Sequence, residues 1–215
     1  VTSGSSAAFL LTFTALFDTN DVILLGEPGY PSYKNIIKSL GLKYETVQTS
    51  IENRFHLTPE ELLRSSAAGV LVASPANPTG LCLSNAQLKE LIEVANSKQM
   101  IFISDEIYHG LNFNGTDFSA LQFDENAIII NSFSKYFSLT GWRLGWMIVP
   151  HSIVRTIEKL AQNLFICASH ASQVLGMFTM NSVENFDSKV RQYKLNRDLL
   201  MKSLPSIGFR DIIQP

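Results

Sequence analysis

Short runs of β-branched and aliphatic residues recur along this chain, each separated from the next by a longer stretch of helical period. That alternation restricts the fold more than any other feature, because it is the pattern of a mostly parallel sheet covered by helices on both faces. The strand candidates are residues 22–25, 44–48, 69–73, 100–104, 127–131 and 144–149. Several are apolar at nearly every position, as strands buried on both faces must be. Helix candidates lie between them at 5–17, 32–40, 59–65, 84–97 and 152–163, with Thr58-Pro59 and Ser84 ahead of Gln87 reading as helix starts. From Ser169 onward strands cease, and two helical patterns run through Asn181 and over 187–204. The expectation is a three-layer α/β/α body over residues 1–185, followed by a long helix and the start of a second domain over 186–215.

Composition agrees with a large core: 46% of the 215 residues are apolar and only 17% charged. A formal net charge of −2 gives no electrostatic reason to expect nucleic acid or an anionic membrane as partner. Cys82 and Cys167 form no CxxC pair, and His56, His109, His151 and His170 have no metal spacing, so a reduced, cytoplasmic, metal-free setting is expected. The apolar stretch 7–17 is interrupted by Thr12 and Thr14, is too short to span a bilayer, and has neither a basic flank nor a cleavage site. With no initiator methionine at Val1 and an ending just after an apolar run, the chain reads as an excised fragment. Asn114-Gly115-Thr116 fits a glycosylation sequon but reads as a turn.

In doubly wound sheets, ligands bind outside the carboxyl ends of the strands. Residues 101–103 lead into Ser104-Asp105-Glu106-Ile107-Tyr108, a carboxylate at the mouth of a buried strand. Burying it is costly unless a cation meets it, although Asp105 also reads as a helix N-cap. Residues 70–73 lead into Ser74-Pro75-Ala76-Asn77-Pro78-Thr79-Gly80, a rigid turn that sets the Asn77 amide between two prolines and by itself reads equally as a site or as an ordinary turn. Residues 128–130 lead into Asn131-Ser132-Phe133-Ser134-Lys135, then Thr140-Gly141-Trp142-Arg143-Leu144-Gly145. Lys135 in apolar, hydroxyl-rich surroundings is a candidate nucleophile, and Arg143 at an apolar strand start calls for an anion such as phosphate. Thr2-Ser3-Gly4-Ser5-Ser6 feeds an apolar helix, either an anion cradle of free N–H groups or an ordinary cap by Ser3 or Ser5. Tyr30, in Glu27-Pro28-Gly29-Tyr30-Pro31, brings an aromatic ring to the same edge.

One ligand accounts for all of these together: an aromatic aldehyde with a ring nitrogen and a phosphate, condensed onto a lysine, which is pyridoxal phosphate. The order and spacing of the motifs at 74–80, 104–108 and 132–145 resemble the class I/II aminotransferases of fold type I, the aspartate aminotransferase superfamily. The resemblance is ordered across residues 1–143 and looser to Pro215, and it implies that residues 1–185 are the large cofactor-binding domain.

Carried over to this sequence, the resemblance implies that Lys135 forms the internal aldimine and shuttles the substrate proton. Asp105 pairs with the pyridinium nitrogen, while Tyr108 and Asn77 bond the 3′-oxygen and Asn77 also faces the substrate carboxylate. Tyr30 stacks on the ring, and Gly4, Ser5, Ser6, Ser132, Ser134 and Arg143 surround the phosphate. It further implies amino-group transfer between an amino acid and a 2-oxo acid in a homodimer. The family's N-terminal segment and the small domain with its carboxylate-binding arginine are absent, Arg210 being too early for that role, so weak or no turnover by the fragment is expected. Two alternatives share these residues: a C–S β-lyase of the same fold, and the effector domain of a transcription regulator.

Overall fold

The computed structural model describes residues 1–113 and 115–215, with the backbone alone for 183–185, so Asn114 of the sequon lies outside the described residues. Six strands form one sheet: β1 (Val22–Glu27), β2 (Lys43–Gln48), β3 (Gly69–Ala73), β4 (Ile101–Asp105), β5 (Ile128–Ser132) and β6 (Gly145–Ile148). Their order is β2-β1-β3-β4-β5-β6, parallel throughout except for β6, which runs antiparallel to β5. Helices α1 (Ser5–Leu16), α2 (Ser32–Ser39), α3 (Pro59–Arg64), α4 (Asn85–Ser97), α5 (His151–Leu164), α6 (His170–Met180) and α7 (Val183–Ser203) complete the fold. The expected α/β architecture is therefore present.

Alternate side chains of one strand enter different layers, which is why the strands are apolar throughout. In β3, Val70 and Val72 join Leu62, Leu88, Leu91 and Ile92 of α3 and α4. Leu71 points the other way, into a layer with Phe9, Phe13 and Ile37 of α1 and α2. Each such buried aliphatic side chain contributes roughly 1.5–3 kcal/mol of hydrophobic stabilisation. The helix starts on this scaffold follow local chemistry. Ser84 Oγ accepts from the Gln87 N–H at 3.3 Å, while Gln87 Oε1 accepts from the Ser84 N–H at 3.0 Å. Glu61 Oε2 accepts from the Thr58 N–H at 2.7 Å at the start of α3.

The differences from the sequence reading are small but bear on the site. β4 and β5 each end one residue later than expected, so Asp105 and Ser132 are the last residues of their strands. Backbone pairing of Gly26 and Glu27 with Val47 and Gln48 prolongs β1 by two residues. Arg143 does not open a strand: it closes a turn of 3-10 helix at Thr140–Trp142 in a left-handed conformation (φ 51°), and β6 begins at Gly145. α7 starts at Val183, four residues before the expected 187. No helix among the described residues is long and apolar enough to cross a membrane.

Candidate active site

Parallel strands bring their carboxyl ends to one edge of the sheet, and there β1, β3, β4 and β5 each hand over to a loop carrying one of the singled-out residues. Tyr30, Asn77, Asp105, Tyr108, Ser134 and Lys135 line one cavity of about 180 Å³ together with Ser5, Ser6 and Arg143. Residues spread over nearly 140 positions of sequence thus share a single pocket.

The anion end is built from backbone. The residue preceding α1 is Gly4 and no side chain caps the helix, so neither Ser3 nor Ser5 plays the capping role considered from sequence. The first-turn N–H groups and the positive end of the helix dipole are left for a ligand. Gly4 sits at φ 83°, ψ 171°, a conformation essentially restricted to glycine. A Cβ there would lie 2.5 Å from Arg143 Nη2. The Arg143 side chain is held over this corner, with Nη1 donating to the Thr140 carbonyl at 3.0 Å. Backbone pairing between Thr2 and Gly145, at 2.8 and 3.0 Å, ties the two segments together.

At the opposite end Asp105 is 3% exposed, and burial pushes its carboxyl up to about 6. Tyr33, the Ile107 N–H and Lys135 oppose that rise, while Glu106 reinforces it. Asp105 is no helix cap: Oδ1 accepts from the Ile107 N–H at 3.1 Å within the turn that follows the strand. Tyr33 Oη donates to Oδ2. Glu106 fixes the same loop from behind, accepting from Ser104 Oγ at 3.1 Å, Ser119 Oγ at 2.9 Å and the Ala120 N–H at 3.0 Å. The loop in turn presents Tyr108, whose ring lies 5.4 Å from Lys135 Nζ.

Lys135 is carried on a tight turn in which Thr140 Oγ1 donates to the Ser134 carbonyl at 2.6 Å and the Ser138 N–H to the Lys135 carbonyl at 3.0 Å. Tyr136 beside it donates to Asp187 Oδ1 of α7 at 2.6 Å. Ser132, expected beside the phosphate, is not among the residues lining this cavity. It is 1% exposed, shares a hydrogen bond with Ser134 Oγ at 2.8 Å and donates to the Leu144 carbonyl at 3.0 Å. Gly4 likewise contributes shape rather than a side chain.

Two residues at this edge escape the sequence reading. Tyr33 resembles an ordinary core aromatic of a short amphipathic helix, and its partner is 72 residues away. His56 lies on the loop before α3, 5% exposed, where it lines a small cavity with Tyr30, Tyr33 and Asn77. Its Nε2 has no hydrogen-bond partner among the described residues. Burial, aided by the Arg54 charge, pushes the imidazole down to about 4 against a favourable bond to the Leu81 backbone. Tyr30 itself is 39% exposed, with one edge against Tyr33 at 5.4 Å and 83°. Beyond it a wider, open cavity of about 780 Å³ shares Asn77 and Tyr108.

A cavity lined by the start of an uncapped helix, an arginine, a buried carboxylate and a lysine suits a ligand bearing both an anion and a basic ring nitrogen. The chain is 39% identical over 214 residues to valine–pyruvate aminotransferase of Mycobacterium tuberculosis, covering 97% of this chain and 55% of the relative. An aminotransferase structure from the same organism superposes with a TM-score of 0.94 at 39% identity, over 100% of this chain and 57% of that one. The aspartate aminotransferase of Thermus thermophilus with maleate gives 0.92 at 26% identity, over 100% of this chain and 58% of that one. The chain thus spans about half the length of the relatives it matches. All of residues 1–215 fit the family described as aminotransferase class I and II, and to that family the chain belongs.

Proposed function

We propose that this chain is the cofactor-binding part of a pyridoxal-phosphate-dependent aminotransferase, which moves an amino group between an amino acid and a 2-oxo acid. The observation that carries the reading is the convergence of Lys135, Asp105 and the Ser5–Ser6–Arg143 corner on one cavity. The residues fit the cofactor by their chemistry: a buried carboxylate suits a protonated ring nitrogen, and uncapped helical N–H groups suit a phosphate. When bound, pyridoxal phosphate supplies an electron sink for the substrate α-carbon.

The protein's own groups supply the rest. Asp105 would hold the ring nitrogen and keep it charged. Ser5, Ser6 and Arg143, with the first-turn N–H groups of α1, would hold the phosphate, each bond to it worth roughly 1.5–3 kcal/mol. Tyr108 and Asn77 would bond the phenolic oxygen, and Tyr30 would cover one ring face. Lys135 Nζ would hold the aldehyde carbon and then carry a proton to and from the substrate. The open cavity bordered by Asn77 and Tyr108 is the side from which an amino acid arrives. The names of the relatives, valine–pyruvate and aspartate aminotransferase, support transamination over C–S elimination or a regulatory role. They also differ in amino donor, so we leave the donor open.

The same reading gives a cytoplasmic homodimer, with a boundary near residue 185 in the first turn of α7 and weak turnover by this chain alone. The test is an absorption spectrum after pyridoxal phosphate is added and the excess removed, with borohydride reduction and peptide mapping. A lysine-linked band that disappears in Lys135→Ala, with the reduced adduct on Lys135, is expected. Retention of the band in Lys135→Ala, or an adduct on another lysine, overturns the assignment.

A further inference from the structure

We infer that Tyr33 is a positioning residue of this site: its hydroxyl sets the orientation of the Asp105 carboxylate toward the bound ring, while its ring sets the plane of Tyr30. The inference rests on the reading of the cavity as a pyridoxal phosphate site and adds a residue to it.

Tyr33 is the second residue of α2, and with Ile37 it forms the buried side of that helix. Its ring is 6% exposed and is wedged edge-on between Phe9 of α1, at 5.1 Å and 61°, and Tyr30, at 5.4 Å and 83°. Its hydroxyl donates to Asp105 Oδ2 while the Ile107 N–H donates to Oδ1, so each carboxylate oxygen has one fixed donor and rotation of the group is blocked. The remaining acceptor positions are available to the cavity that Asp105, Tyr33 and Tyr30 line together. Burial and the adjacent Asp105 charge hold the Tyr33 phenol well above its ordinary range, so it remains a donor at any working pH. The charged and titratable groups around the pair are Lys135 from the loop after β5, Glu106 next in the chain, Tyr108 and Tyr30.

A packing role and a positioning role make different predictions for Tyr33→Phe, which retains the ring and removes only the hydroxyl. In the intact apoprotein, the midpoint of Asp105 protonation is followed by isotope-edited infrared spectroscopy and assigned with Asp105→Asn. It is expected to rise by about one pH unit from its wild-type position near 6, because the removed bond favoured the charged form. The dissociation constant for pyridoxal phosphate is expected to rise about tenfold, with the melting temperature little changed. In an Asp105→Asn background the same hydroxyl removal is expected to alter cofactor affinity less than twofold, since the two groups act as one unit. An unmoved Asp105 midpoint in Tyr33→Phe overturns the inference, as does equal cofactor affinity in wild type and variant. Wild-type protein that retains no pyridoxal phosphate overturns the functional reading and with it the cofactor role of Tyr33. That outcome is distinct from one in which wild type binds and the variant binds equally well.

Discussion

Two buried groups in the apoprotein make stability depend on pH in opposite directions, and removing one of them exposes the other. His56 is neutral in the fold, its imidazole depressed from 6.5 to about 4. Between those values the unfolded chain binds the proton and the native one does not, so stability falls as pH drops. At about 1.4 kcal/mol per pH unit the loss approaches about 3 kcal/mol by pH 4. Asp105 is raised from 3.8 to about 6, so over much of the same window the native state binds the extra proton. It contributes about 3 kcal/mol of stability at low pH, which is lost as pH rises through 6. The pair nearly cancel. Replacing His56→Asn keeps a donor for the Leu81 backbone but abolishes the titration. Urea unfolding of apoprotein from pH 7 to pH 4 should show the variant gaining on wild type as the medium acidifies, with the gap changing by about 3 kcal/mol. Asp105→Asn should shift the curve by a similar amount in the opposite direction. Wild-type and His56→Asn stabilities that stay parallel to within about 0.5 kcal/mol would refute the claim that His56 is buried uncharged.

Gly4→Ala is expected to cost about 1–3 kcal/mol of stability in urea unfolding, and to weaken pyridoxal phosphate binding by displacing Arg143, because its Cβ would lie 2.5 Å from Nη2 at a φ of 83°. Arg143→Gln should leave stability unchanged and raise the cofactor dissociation constant roughly tenfold by equilibrium dialysis, the low end for a bond to a charged group because the arginine is exposed. Phe13→Ala removes a fully buried ring packed between Phe9 and Phe17 and should cost about 3–5 kcal/mol, read as a fall in the urea midpoint at constant m.

The strands were legible because burial on both faces demands apolar residues at consecutive positions, and Val70-Leu71-Val72 satisfies two layers at once. Loop motifs at the strand ends were legible because Lys135, Asp105 and Asn77 are costly or distinctive where they stand. What was not legible depends on contacts between distant segments or on conformation. Ser132, expected beside the phosphate, completes β5 and donates to the carbonyl of Leu144, which precedes β6. Arg143 was placed at the start of the strand expected over 144–149, whereas its left-handed φ turns the chain before β6 begins at Gly145. Tyr33 and His56 owe their importance to burial, and a tyrosine in a short helix or a histidine in a polar loop carries no local sign of that.

The pairing of Thr2 with Gly145 joins the start of the chain to a point about 140 residues later. Closing a connection of that span costs loop entropy, which the pairings of the intervening sheet help to offset. The corner where Gly4 meets Arg143 therefore depends on segments at the two ends of that span being held together. A phosphate-bearing cofactor would find its binding corner complete only once those segments have met, so its capture would favour folded molecules. By mass action it would also draw the folding equilibrium toward them, by about 2.7 kcal/mol when free cofactor stands at a hundred times its dissociation constant.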